Sequence, residues 1–239
     1  MKYLSIQKDR DGASSTTLLQ LHVGQTGIDS VGAGYLADAL RCNRNLTRLD
    51  LTNNPIGDEG VMFLAAALTE NSSLTELDLS EAAPFGEEAA RHLATALAGN
   101  RSLTTLEACA IVPKGADPPS WLGEHLAAAL SSNTTLRELD VCWGMSGAGT
   151  AALADALLMN CTLRRVLLDQ IPPGPVMARL ADALCRNSTL RSLNVGVVPG
   201  DESMQALSRG LALNTGLEQL TLRSGLMHGW VYSEASLSI

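Results

Sequence analysis

The feature that most constrains this chain is a repeated apolar string, L-x-x-L/V-x-L/V. Six copies follow the pattern closely and two weaker copies begin at Leu18 and Leu103. Alternation of this kind predicts a short β-strand, and its return every 27 to 33 residues predicts a repeat architecture. The leading leucines are Leu18, Leu46, Leu74, Leu103, Leu136, Leu163, Leu190 and Leu217.

A second signature, L-x-x-A-L, lies between these strings, as in Leu64/Ala67/Leu68, with Gly210 replacing the alanine in the seventh copy. Apolar residues at i, i+3 and i+4 predict one helix stripe, and the small middle residue lets the helix approach a sheet closely. An asparagine follows each closing leucine by three residues, and we expect it to end the helix in the left-handed conformation. These asparagines are Asn43, Asn71, Asn100, Asn133, Asn160, Asn187 and Asn214.

Each unit therefore consists of a strand, a loop, a helix and an asparagine. Because no unit can bury its own apolar face, neighbouring units must stack. The sequence predicts an α/β solenoid of about eight repeats, with parallel strands on a concave face and helices on a convex face. We assign the repeats to residues 18–222, an N-terminal cap or extension to 1–17, and a C-terminal cap or tail to 223–239.

With these strings, and best in Leu46 to Asn71, the sequence resembles leucine-rich repeats of the ribonuclease-inhibitor-like type. Similar repeats occur in ribonuclease inhibitor, NLR receptors and Ran GTPase-activating protein. The resemblance implies a horseshoe arc whose concave face and loop rims bind proteins. Repeats of this type usually carry Asn or Cys eight residues after the leading leucine, and here only Asn54 fits. We therefore expect the other loops to satisfy their backbone groups differently.

Composition and motifs argue against several functions. The net charge of −8 disfavours nonspecific binding to nucleic acid or anionic membranes. No apolar run has the length of a signal peptide, so we expect a cytoplasmic protein. Five cysteines without a CxxC pair favour free thiols, including Cys109 and Cys142, which share a column of neighbouring strands. Four scattered histidines and the glycines from Gly144 to Gly149 match no metal, nucleotide or catalytic motif, so we expect no enzyme activity and no cofactor.

Carboxylates form a column across the predicted strands. Leucines at the fourth and sixth positions of each string point inward, so the third and fifth positions face the concave surface. We predict that this surface binds a protein partner, and that a basic partner fits it best. The alternative, that Asp is simply common in this repeat type, stays open. The fifth position carries Asp50, Asp78, Glu107 and Asp140, and the third position adds Glu76 and Glu138.

Trp143 follows the acidic column in repeat four and is a candidate interface anchor. Alternatively, it covers the insertion at residues 112–120, which lengthens repeat three. At the chain ends, Trp230 and Tyr232 could fold over the last strand, or the chain could be a fragment of a longer array. Tyr3 to Ile6 alternates like a short strand and could cap the first repeat.

The predicted function is that of a non-catalytic protein-interaction module or scaffold. Two alternatives follow from the resemblance. One is a GTPase activator of the Ran GTPase-activating type, although that family's catalytic residues are not matched here. The other is the ligand-sensing or autoinhibitory segment of an NLR-like receptor, which would need a nucleotide-binding module outside this sequence.

Overall fold

The computed structural model describes residues 18–82, 85–109, 119–141, 145–171, 174–197, 201–224 and 234–238. Strands and helices alternate along this part of the chain. The strands are β1 (Gln20–His22), β2 (Arg48–Asp50), β3 (Glu76–Asp78), β4 (Thr105–Glu107), β5 (Glu138–Val141), β6 (Arg165–Ile171), β7 (Ser192–Val197), β8 (Gln219–Ser224) and β9 (Glu234–Ser238). The helices are α1 (Ser30–Cys42), α2 (Gly57–Leu68), α3 (Glu87–Gly99), α4 (Trp121–Leu130), α5 (Gly147–Leu157), α6 (Pro175–Arg186) and α7 (Asp201–Leu213).

The strands form one sheet in sequence order, in which β1 to β8 are parallel. Each string aligns with the next position by position, so Leu77 lies between Leu49 and Leu106. The predicted α/β solenoid is confirmed by this arrangement. β9 adds a further strand, antiparallel to β8. Trp230, Tyr232 and Tyr3 to Ile6 lie outside the described residues.

The inward leucines of the strands and the leucines of the helix signature form one continuous core, which contains almost no aromatic side chain. Leu49, Leu64 and Leu106 are almost completely buried in it. At Gly210 the small residue serves a different contact from the one we expected. A Cβ there would lie 2.7 Å from the carbonyl oxygen of Ala181, so the glycine allows α7 to approach the neighbouring helix α6 rather than the sheet.

The expected left-handed helix ends are wrong. Asn43, Asn100 and Asn187 have φ between −79° and −69° and ψ between 115° and 139°, which is extended backbone. The side chains explain this geometry. In Asn71, Oδ1 accepts from the N–H groups of Ser73 and Leu74, so it turns the chain from the helix into the next strand without a left-handed residue.

The same side chains also join consecutive repeats. Asn71 Nδ2 donates to the carbonyl groups of Leu40 (2.8 Å) and Asn43 (3.1 Å) in the preceding unit. The pattern recurs with small variations at the later positions, and we call the whole series the asparagine ladder: Asn43, Asn71, Asn100, Asn133, Asn160, Asn187 and Asn214. From Asn71 onward, these hydrogen-bonded amides join each unit to the preceding one.

The left-handed residues lie instead in the loops that follow the first three strands. Gln25, Asn53 and Glu81 have φ of 56°, 53° and 55°, and each comes seven residues after a leading leucine. Asn54, the one loop asparagine that the sequence matched, is buried. Its Oδ1 accepts from the N–H groups of Thr26 and Ile28, and its Nδ2 donates to the carbonyl of Leu51. Its expected role in bonding the loop backbone is confirmed.

No helix in the described part of the chain combines the length and the hydrophobicity needed to cross a bilayer.

Candidate protein-binding surface

Four carboxylates stand side by side on the face of the sheet that points away from the helices. Asp50 pairs with Asp78, Asp78 with Glu107, and Glu107 with Asp140 in the strand register. Neighbouring strands lie about 4.8 Å apart. Each residue flanks a buried leucine and is itself half-buried. We call these four residues the acidic row. The structure thus brings together the fifth-position carboxylates that the sequence singled out.

Two members of the acidic row also hold local backbone. Asp50 Oδ1 accepts from the N–H of Thr52 (3.0 Å), and Asp78 Oδ1 accepts from the N–H of Ser80 (2.8 Å). The Thr52 hydroxyl lies 2.7 Å from Asp50 Oδ1 and 2.9 Å from Asp78 Oδ2, so one proton serves two carboxylates. These contacts give Asp at this position a structural role in turning the chain out of the strand.

The pKa values of two carboxylates in the acidic row are shifted in opposite directions. Burial acts to raise the pKa of Asp50, but hydrogen bonds from Thr52 and the nearby His22 outweigh it and lower the pKa overall. Burial raises the pKa of Glu107, and the charges of Asp78 and Asp140 on either side raise it further. Repulsion between the carboxylates is therefore greatest in the middle of the row.

The two third-position carboxylates are paired with arginines on adjacent strands. Glu76 Oε2 lies 2.7 Å from Arg48 Nη1, and Glu138 Oε2 lies 3.9 Å from Arg165 Nη1. In contrast, no ion pair reaches Asp78 or Glu107 from any residue that the structure describes. The charge available to a partner is therefore concentrated on the acidic row.

The row has defined ends. At the first strand, His22 Nδ1 lies 3.3 Å from Asp50 Oδ2. At the far end the register continues from Asp140 to Leu167, Asn194 and Thr221, which carry no charge. Cys109 Sγ lies 3.1 Å from Asp140 Oδ1, so this thiol contacts the row. Trp143, Cys142 and most of the insertion lie outside the described residues, and their expected roles stay predictions.

The arginines that follow the leading leucines late in the chain have contacts that the sequence did not indicate. Arg137 Nη1 donates to the carbonyl of Thr162, and Arg191 Nη1 donates to the carbonyl of Gly216. Both bonds reach the next repeat, so these side chains join neighbouring units. The sequence feature that could have indicated these contacts is the arginine that directly follows the leading leucine in three consecutive strings. Among the described residues, no group of three His, Cys, Asp or Glu side chains could hold a metal ion.

Comparison with known proteins agrees with this architecture. A sequence profile described as Leucine Rich repeat matches residues 42–65, which span the end of α1, β2 and most of α2. No curated protein sequence matches the chain. Together with the strand–helix units, the match shows that this chain has a leucine-rich-repeat fold.

Solved structures with the same fold include two smaller domains. One is the leiomodin-1 actin-binding site 2, with 21% identity, covering 64% of this chain and 89% of that one at a TM-score of 0.51. The other is the tropomodulin C-terminal domain of Caenorhabditis elegans, with 16% identity, covering 64% and 92% at a TM-score of 0.52. At these identities the likeness establishes the shared fold.

Proposed function

We propose that this protein is a non-catalytic interaction module that binds a basic segment of a partner protein along the acidic row. The observation that carries the proposal is the placement of Asp78 and Glu107. They lie in register on adjacent strands, half-buried, and no described cation forms an ion pair with either. The leucine-rich-repeat class, which includes a domain described as an actin-binding site, supports a protein as the partner.

Electrostatics explains why a cation would be favourable there. Two like charges about 4.8 Å apart repel by about 1 kcal/mol even in water. Burial raises the pKa of Glu107, and the repulsion from Asp78 and Asp140 raises it further. Lysine or arginine side chains of a partner, placed between the carboxylates, would replace this repulsion with attraction. Such surface charges act mainly on the association rate and are screened by salt.

An octalysine peptide is a suitable probe. The test compares the Asp78→Asn, Asp140→Asn double variant with the intact chain, because asparagine keeps the oxygen that accepts the local hydrogen bonds. The matched control is Asp182→Asn with Glu202→Gln, which removes the same charge from exposed positions on α6 and α7.

We expect the row variant to bind octalysine at least fivefold more weakly than the control at low salt. We also expect the difference to shrink as salt rises. Equal weakening in both variants, or no binding by the intact chain, would overturn the proposal. In the former case, Asp78 serves only the turn that follows its strand.

We further place the protein in the cytoplasm, on the basis of its asparagine ladder. Six Asn-x-Ser/Thr sequons occur in the sequence, and five of them contain ladder asparagines that are buried in the fold. A glycan on any of these side chains would remove a donor from a closed junction. The sequons arise because a hydroxyl two residues after the asparagine packs against its amide, as Ser73 does beside Asn71.

A further inference from the structure

The first repeat leaves hydrogen-bond donors at its outer edge. At the junctions between parallel strands, one carbonyl accepts from two successive N–H groups of the following strand. Leu19 O accepts from Thr47 (2.7 Å) and Arg48 (3.2 Å), and the same arrangement recurs through to β8. The corresponding donors of β1 are the N–H groups of Leu19 and Gln20. The described residues supply no acceptor for either.

The asparagine ladder is incomplete at the same end. Asn43 is 92% buried, since its exposed fraction is 8%. Its Oδ1 accepts from Asn45 and Leu46, as in the later units. Its Nδ2, however, donates to no described residue, whereas the later ladder amides each donate to a carbonyl of the preceding unit. The Asn43 Nδ2 atom opens into the groove at the end of the array rather than being sealed from solvent, so a peptide carbonyl placed in the groove would accept from it.

An apolar groove surrounds this amide. It is lined by Leu18, Leu21, Leu36 and Leu40 together with Asn43. The structure describes eight exposed large apolar side chains, and half of them belong to this first unit: Leu18, Leu19, Val31 and Tyr35. The groove therefore lies beside a free strand edge, contains the Asn43 amide donor and is lined by leucines, of which Leu18 is exposed. These features together fit an extended polypeptide.

We propose that residues 3–6 of this chain occupy the surface by adding a strand to the outer edge of β1. The segment is tethered to the site, because residue 17 directly precedes Leu18, the first residue of the groove. Eleven residues, 7–17, separate it from the groove and span up to about 36 Å. Leu4 and Ile6 alternate with Tyr3 and Ser5, so one face of the added strand is aliphatic and packs into the groove.

Hydrogen exchange on the full chain tests the proposal. The variant Leu4→Ser, Ile6→Ser removes the aliphatic face, and the matched control Tyr3→Ser, Ser5→Ala changes the opposite face. We expect the amides of Leu19 and Gln20 to exchange at least tenfold faster in the first variant and at the original rate in the control. The amides of Thr47 and Arg48 report on the junction between β1 and β2 and should stay protected in both.

A second measurement needs no variant. In the intact chain, nuclear Overhauser effects should connect the methyl groups of Leu4 or Ile6 to those of Leu21 or Leu36. Absence of these effects, or unprotected amides at Leu19 and Gln20 in the intact chain, would overturn the proposal. Protection that falls on dilution would overturn it as well, because a second copy would then occupy the groove.

Discussion

Asn71 donates from its side-chain Nδ2 to the backbone carbonyl of Asn43, its counterpart 28 residues earlier, at 3.1 Å. Each such bond joins a carbonyl at the end of one helix to the asparagine that follows the helix of the next unit. The amide therefore ends a helix, positions the following strand and joins two repeats at once. Apolar substitution at these positions should damage all three functions.

Replacement of a central residue of the asparagine ladder should strongly lower the free energy of unfolding. Asn133→Ala leaves the N–H groups of Thr135 and Leu136 and the carbonyl of Leu97 without their partners. Each unsatisfied buried group costs about 1–3 kcal/mol, so we expect a loss of about 3 kcal/mol or more in the free energy of unfolding. Chemical denaturation measures it. Asn45→Ala, at a sequon outside the ladder, is the control and should cost under about 0.5 kcal/mol.

Replacement of a core leucine should lower the stability of the protein by a comparable amount. Leu139 is 2% exposed in the central strand β5, so Leu139→Ala opens a cavity and should cost about 2–5 kcal/mol. Met159, which is 82% exposed, serves as the control because Met159→Ala removes little buried surface. Thermal melts followed by circular dichroism compare the two. Equal melting temperatures would contradict the assigned register of the strings.

Two residues of the acidic row, Glu107 and Asp50, should affect the pH dependence of folding stability in opposite directions. The pKa of Glu107 is raised in the folded state, so its ionised form opposes folding above that pKa and the penalty disappears as pH falls through it. Glu107→Gln should therefore stabilise the protein at pH 7, and the gain should vanish in acid.

The contribution of Asp50 to folding stability should have the opposite pH dependence. Its pKa is lowered in the folded state, so its contribution to stability is present above the unfolded pKa and is lost as pH falls through the folded one. Asp50→Asn should accordingly be most destabilising at neutral pH. Denaturation curves at pH 7 and pH 3.5 distinguish the two positions, and the same sign of pH dependence in both variants would refute the assignment.

The left-handed loop residues offer a stabilising change. Glu81 has φ of 55°, which costs a non-glycine residue about 1–2 kcal/mol, while glycine loses about 0.5–1 kcal/mol of unfolded-state entropy. Glu81→Gly should therefore raise the free energy of unfolding by up to about 1 kcal/mol. Glu70→Gly, at the exposed end of α2, is the comparison and should give no gain.

We expect no acceleration of GTP hydrolysis when the protein is added to Ran or to other small GTPases, because the residues of that catalytic site are not matched. A single-turnover assay with labelled GTP measures it. A rate increase that requires this protein would favour the GTPase-activating alternative over the interaction module.

The sequence predicted the strands, helices and register because leucine spacing alone determines which positions can be buried. It placed Asp50, Asp78, Glu107 and Asp140 in one column for the same reason. It did not predict the extended backbone at Asn43 or the left-handed backbone at Gln25 and Glu81. At Asn43, the side-chain oxygen accepts from the N–H groups of Asn45 and Leu46, and this local turn replaces the left-handed helix end. Gln25 and Glu81 instead donate from their backbone N–H groups to the carbonyls of Thr52 and Cys109 in the following unit. Local residue preferences carry no information about such bonds between units. The ribonuclease-inhibitor-like type of the repeats stays a prediction.

From Asn71 onward, every amide of the asparagine ladder donates to a carbonyl of the preceding unit. The two sides of a unit therefore differ, and each side fits only the opposite side of a neighbouring unit. Duplication or deletion of one whole unit in the middle of the array regenerates the same junction on both sides. The number of repeats in such a chain can therefore change in evolution without a new kind of interface between units. The cost of a change falls on the two terminal units, whose outer sides must be closed by something other than a repeat.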